Sequence, residues 1–94
     1  MPGLLSNDEI ESALSELSDW TREDDAIRRD VTAETFADGI ALVDRVAVVA
    51  DERDHHPDID IRWTTVTFRL STHSEGGITA NDVEMAREID RLAG

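Results

Sequence analysis

The stretch "IDIRWTTVTFRL", residues 59–70, changes phase in its middle. Ile59, Ile61 and Trp63 occupy odd positions, whereas Val66, Phe68 and Leu70 occupy even ones. Side chains alternate faces along a strand, so one flat strand would send these two sets in opposite directions. A two-residue turn or bulge at Thr64-Thr65 returns both sets to one side. The stretch therefore reads as two antiparallel strands with a shared apolar face, and such a face needs helices to cover it.

The rest of the chain supplies them. "SNDEIESALSEL" places Ser6 three residues before Glu9, a capping-box pattern, and Ile10, Ala13, Leu14 and Leu17 follow helical spacing. In "DWTREDDAIRRDV", Ile27 and Val31 flank Arg29 at period two and Asp24-Asp25 supply a turn. A hairpin over about residues 19–23 and 26–31 is expected. From Thr32, the expected N-cap, Phe36, Ile40, Val43, Ala47 and Ala50 form one helical stripe, widened by Gly39, Leu42, Val46 and Val49. This helix should run to about Arg53 and stop before Pro57. "SEGG" reads as a loop, and Thr79 with Asp82 opens a last helix carrying Val83, Ala86, Ile89 and Ala93. The order is αββαββα. We expect one α+β domain over residues 1–94, a four-stranded antiparallel sheet with helices packed on one face.

Composition narrows the function classes. The net charge is −13, and all nine basic residues are arginine. Such a surface repels phosphate backbones, so no nucleic acid partner is expected. An acidic chain without lysine resembles proteins of halophilic archaea, in which carboxylates hold water in molar salt. Cysteine is absent, which removes disulfides, thiolate nucleophiles and cysteine-ligated zinc. No apolar run approaches the roughly 20 residues that span a bilayer, and no signal-peptide pattern is visible. A cytoplasmic protein without a membrane partner is the expectation.

Chemistry concentrates in "DERDHHPDID", residues 51–60, where His55 and His56 adjoin Pro57. The third histidine, His73, follows in "RLSTHSEGG". Adjacent histidines point apart in regular structure, and Asp51, Asp54, Asp58 and Asp60 lack the calcium-loop glycine, so no metal is expected. The bland reading is that His55 and His56 only decorate a helix C-terminus, where the dipole favours them. Three imidazoles without a thiol or a serine elbow suit proton transfer better than nucleophilic attack, because imidazole, with a pKa of about 6.5, gives or takes a proton near neutrality. Asp51 lies one turn before His55 and would orient that ring. Asp82 either belongs to the site or only caps the last helix.

Asp51, His55-His56-Pro57, Trp63, His73 and Asp82, at these spacings, together resemble the pterin-4a-carbinolamine dehydratase family. "STH" followed by "GGIT" and "ND", and the helix ending "VDRVAVVADERD", extend the likeness from about Trp20 to Leu92. The family's domain is αββαββα. The resemblance implies dehydration of a 4a-hydroxytetrahydropterin to the quinonoid dihydropterin, as in tetrahydrobiopterin metabolism, by a hydro-lyase that needs neither metal nor organic cofactor. It further implies that His55 and His73 carry the acid–base work while His56 mainly holds the pterin. Asp54, Ser71, Thr72 and Ser74 match segments that contact the substrate, with Asp51, Pro57, Trp63 and Asp82 in support.

Association between copies is also expected. The apolar positions from Phe36 to Ala50 cover roughly half of their helix, whereas one sheet face needs a stripe little wider than 100°. The excess, placed around Leu42, Val46 and Val49, would leave an exposed patch on a monomer. The resemblance likewise implies a homodimer or homotetramer. Two alternatives to the dehydratase reading are a protein-binding dimerisation module, a role that family members play in animals, and an enzyme of another pterin, such as one in molybdenum-cofactor metabolism.

Overall fold

A computed structural model of the chain describes residues 3–94. Its elements are α1 (Asn7–Glu16), β1 (Thr21–Glu23), β2 (Ala26–Thr32), α2 (Phe36–Arg53), β3 (Asp58–Arg62), β4 (Thr65–Leu70) and α3 (Ala80–Ala93). The strands form one antiparallel sheet in the order β1-β2-β4-β3, in agreement with the αββαββα expectation.

Local chemistry explains where the elements begin. At α1 the backbone N–H of Ser6 donates to Glu9 Oε1 (2.8 Å), and the Glu9 N–H donates back to Ser6 Oγ (3.1 Å). These bonds, the one from the Ser6 backbone first, hold the Glu9 carboxyl below the usual carboxylate range. The β1–β2 hairpin turns at Asp24, whose φ of 55° lies in the left-handed region that aspartate tolerates. The N-cap of α2 is Thr35, not Thr32, and its side chain accepts from Asp38 N. Thr32 is instead the last residue of β2, paired with Thr65, because the ladder with β4 extends that far.

The orientation of α2 corrects the sequence expectation. Gly39, Leu42, Val46 and Ala50 face the core, so Leu42 and Val46 are not an exposed excess, and Val49 packs against the same cluster. The outward side instead carries Phe36, Ala47 and Val48. Gly39 shows why. A Cβ there would lie 3.3 Å from Val66 Cγ2, so its bare backbone lets α2 approach β4 closely. The core joins this face to Ile10 and Leu17, to Ile27, Val66, Phe68 and Leu70 of the sheet, and to Val83, Met85, Ala86 and Ile89 of α3. Burial of these apolar side chains is the main stabilising term.

The phase switch is a hairpin, displaced by one residue from its expected position. Arg62 pairs with Thr65 and Ile61 with Val66, so the turn residues are Trp63 and Thr64. Ile59 and Ile61 share the helix-covered face with Phe68 and Val66 but sit on the edge strand and stay 37% and 36% exposed. The opposite sheet face is open and charged. A concavity of about 690 Å³ there is lined by Arg28, Arg62 and Arg69 among carboxylates, and each arginine is already bridged: Arg28 to Glu23 and Asp30, Arg62 to Asp60, Arg69 to Glu23. Among the described residues, no helix is long and apolar enough to cross a membrane.

Candidate active site

The end of α2 creates the site. Asp54 adopts left-handed φ/ψ of 52° and 43° as the C-cap, and its N–H together with that of His55 returns to the last turn at Asp51 O and Ala50 O. The chain leaves helical geometry at this residue, so the two histidines diverge. The His55 side chain turns inward and is 13% exposed, with Nε2 2.6 Å from Asp82 Oδ1. The His56 side chain turns outward and is 56% exposed, with Nε2 2.9 Å from Asp51 Oδ1. Asp51 therefore orients His56 and not His55. The i,i+4 pairing expected from sequence needs a helix through both residues, and the left-handed Asp54 ends it one residue too early.

Asp82 both caps α3 and bonds His55. It is the third residue of α3, and its carboxylate accepts the Thr79 N–H in a capping box. That carboxylate is fully buried, which is tolerable only where hydrogen bonds replace water. Oδ2 accepts from Thr79 N (2.9 Å) and Thr72 Oγ1 (2.8 Å), while Oδ1 meets His55. The Thr72 hydroxyl also bonds Thr79 Oγ1 at 2.7 Å.

His73 sits one residue beyond Thr72, in the turn that follows β4. Thr72 bridges to Gly77, its carbonyl accepts from Glu75 N and Gly76 N, and Gly76 takes a φ of 72° that suits glycine. His73 and Ser74 are exposed on this turn, and Ser71 Oγ donates to the Asp25 carbonyl at 2.8 Å. Asp82 thus brackets the two histidine-bearing segments, with one oxygen on His55 and the other on the residue before His73. Asp54 is exposed and Pro57 is half-buried beside them, where the chain enters β3.

Two residues lie differently from expectation. Trp63 is 78% exposed in the β3–β4 turn with a φ of 53°, separated from the histidines by the five residues of β3, or about 17 Å at 3.4 Å per residue. It is not gathered into this chain's own cluster. The Thr72 side chain is buried beneath the site, so its hydroxyl meets Asp82 and not solvent. Sequence marks Thr79 only as the start of a helix. Its recurrence three residues before Asp82 was the one available signal, and that signal describes a cap, not a bond to Thr72. Among the described residues, no three histidine, aspartate or glutamate side chains converge as a metal-ligand set.

A carboxylate bonded to one imidazole, with a second imidazole on an adjoining turn, supplies groups that can give and take protons. Comparison with known proteins places the chain in a family. A family model described as pterin 4 alpha carbinolamine dehydratase matches residues 3–92. A protein of Nocardia farcinica, provisionally named as such a dehydratase, is 61% identical over 90 residues, spanning 96% of this chain and 95% of that one. A Mycobacterium avium protein with the same provisional name is 56% identical over 91 residues and 97% of each chain. The crystal structure of a transcriptional coactivator/pterin dehydratase from Brucella melitensis superposes with a TM-score of 0.92 at 34% identity, covering 96% of this chain and 98% of that one. A pterin dehydratase-like RuBisCO assembly factor of the alpha-carboxysome shares the fold, with a TM-score of 0.65 at 22% identity over 80% of this chain and 87% of its own. The chain belongs to the pterin-4a-carbinolamine dehydratase family.

Proposed function

We propose that this protein is a cytoplasmic hydro-lyase that dehydrates a 4a-hydroxytetrahydropterin to the quinonoid dihydropterin. The observation that carries the reading is the bracket formed by Asp82, which joins the His55 segment to the residue preceding His73. In the reaction the C4a–O bond breaks and the oxygen leaves as water after gaining a proton. N5 loses its proton, and the electron pair freed there forms the C4a=N5 double bond. One acid and one base suffice, and two imidazoles can fill both roles near neutrality. His55 and His73 take these roles, and His56, held by Asp51 at the outer edge, contacts the pterin. Asp54, Ser71 and Ser74, with the backbone of Thr72, offer polar groups to the amide and amine edge of the ring. No step requires a metal or an organic cofactor.

Copies of the chain associate as a dimer or tetramer in this reading. The support is apolar surface left uncovered on one molecule: Phe36 and Val48 of α2, and Ile59 and Ile61 of the unpaired edge strand β3. Generating the 4a-hydroxytetrahydropterin chemically and following its loss with wild-type protein and His73→Ala tests the activity. Acceleration by the wild type alone supports the reading. Equal rates with and without protein contradict it, and activity lost to a chelator and restored by zinc contradicts its metal-free chemistry.

A further inference from the structure

The hydroxyls of Thr72 and Thr79 are buried beneath His55, and the Thr72 hydroxyl is not needed for the cap. A capping box at α3 uses only the Thr79 backbone and side chain with Asp82. The Thr72 hydroxyl comes from a different segment and still reaches the same carboxylate oxygen. Its direction is set by its neighbours. Thr79 Oγ1, as the N-cap, accepts from Asn81 N at 3.3 Å, which leaves its own proton to point elsewhere. The oxygen within reach is Thr72 Oγ1, 2.7 Å away, and Thr72 in turn has Asp82 Oδ2 at 2.8 Å. A carboxylate oxygen that already takes the Thr79 N–H accepts this second proton as well. Donation therefore runs one way, from Thr79 through Thr72 to Asp82.

We propose that this hydroxyl chain makes Thr72 and Thr79 positioning residues for His55, and that it fixes which nitrogen of that ring carries the proton. With two donors engaged on Oδ2, the carboxylate plane is held and Oδ1 is presented to His55 as an acceptor. The ring then donates from Nε2 to Asp82. Nδ1 has no partner among the described residues and remains the bare nitrogen, the one able to accept a proton. The inference rests on the dehydratase reading and deepens it: His55 is the group that takes the N5 proton of the pterin, and the exposed, unanchored His73 supplies the proton to the departing hydroxyl. Thr72 also ties the His73 turn to the same carboxylate, so one residue sets both the tautomer of the base and the placement of the acid.

Nitrogen-15 NMR of histidine-labelled protein reads the tautomer directly, without any substrate. Wild type is expected to show His55 protonated at Nε2 and bare at Nδ1. Thr72→Val removes the donor while keeping the shape, and is expected to mix the His55 tautomers and lower kcat about tenfold or more, with KM little changed, since losing a bond to a charged group has consequences on that scale. Thr72→Ser, which keeps the hydroxyl, should restore both readouts. A wild-type His55 protonated at Nδ1, or a Thr72→Val protein with unchanged tautomer and kcat, overturns the proposal. The wild-type spectrum decides even if Thr72→Val fails to fold. A protein with the expected tautomer but no dehydration rate would sink the functional reading and leave the hydroxyl chain standing.

Discussion

Replacing Asp82 separates what holds the fold from what prepares the chemistry. Asp82→Ala strips the acceptor from three donors: Thr79 N, Thr72 Oγ1 and His55 Nε2. Thr79 and Thr72 are buried, so neither donor can turn to bulk water. Each buried, unsatisfied group costs about 1–3 kcal/mol. Two such groups give roughly 2–6 kcal/mol, reduced because the desolvation penalty of the buried carboxylate disappears with it. We expect about 3 kcal/mol, a large share of the stability of a small domain, and a melting temperature lower by about 12 to 24 °C. Asp82→Asn conserves volume. Its carbonyl can still accept from Thr79 and Thr72, but its amide then faces His55 as a donor and forces Nε2 to accept. Its stability loss should be about 1 kcal/mol, while kcat should fall at least 100-fold, the scale set by loss of a correctly protonated base. Urea unfolding monitored by tryptophan fluorescence, beside initial rates of dehydration, measures both. If Asp82→Asn loses as much stability as Asp82→Ala, or keeps wild-type activity, the assigned bonding pattern is wrong.

Three further outcomes follow from the same contacts. Val48→Asp, at a position 59% exposed on the outer side of α2, should split an oligomer into folded monomers by light scattering, whereas Val46→Asp, at 0% exposed, should unfold the chain; an oligomer untouched by Val48→Asp moves the interface off this helix. With a net charge of −13, the melting temperature should rise between 0.1 M and 1 M salt, as the Debye length falls from about 10 Å to about 3 Å; a flat response removes support for salt adaptation. Glu9 is held below its unfolded value, so its contribution is present above about pH 4.5 and disappears as pH falls through the folded value. Glu9→Gln should accordingly be less stable than wild type at neutral pH, with the gap closing on acidification, and a gap independent of pH in thermal melts contradicts the capping-box assignment.

Much of the fold was legible because periodicity survives small errors of placement. Moving the turn from Thr64-Thr65 to Trp63-Thr64 leaves Ile59 and Ile61 on the same face as Val66 and Phe68, since the pairing still joins odd to even positions. A tryptophan at positive φ was not legible, because such turns ordinarily call for glycine or asparagine. On α2 the sequence showed an apolar stripe too wide for one sheet face, and the part expected to stay exposed, around Leu42 and Val46, is the part that is buried. Which part meets the sheet depends on Gly39 admitting Val66, a contact between segments far apart in the chain. The same limit applies at the site. Histidines and carboxylates were named from their spacing, but Asp54 leaves the helix at a left-handed angle, and that angle decides that Asp51 serves His56 and Asp82 serves His55. Thr72 looked like a surface neighbour of His73, yet consecutive residues point opposite ways, and the inward one is Thr72.

The most direct test of the account is single-turnover dehydration of 4a-hydroxytetrahydropterin by wild type, His55→Ala, His73→Ala and His56→Ala under one salt condition. The account predicts that the first two variants each slow the chemical step about 100-fold or more, the usual scale for a general acid or base, while His56→Ala mainly weakens substrate binding. Wild-type rates in both His55→Ala and His73→Ala would contradict it.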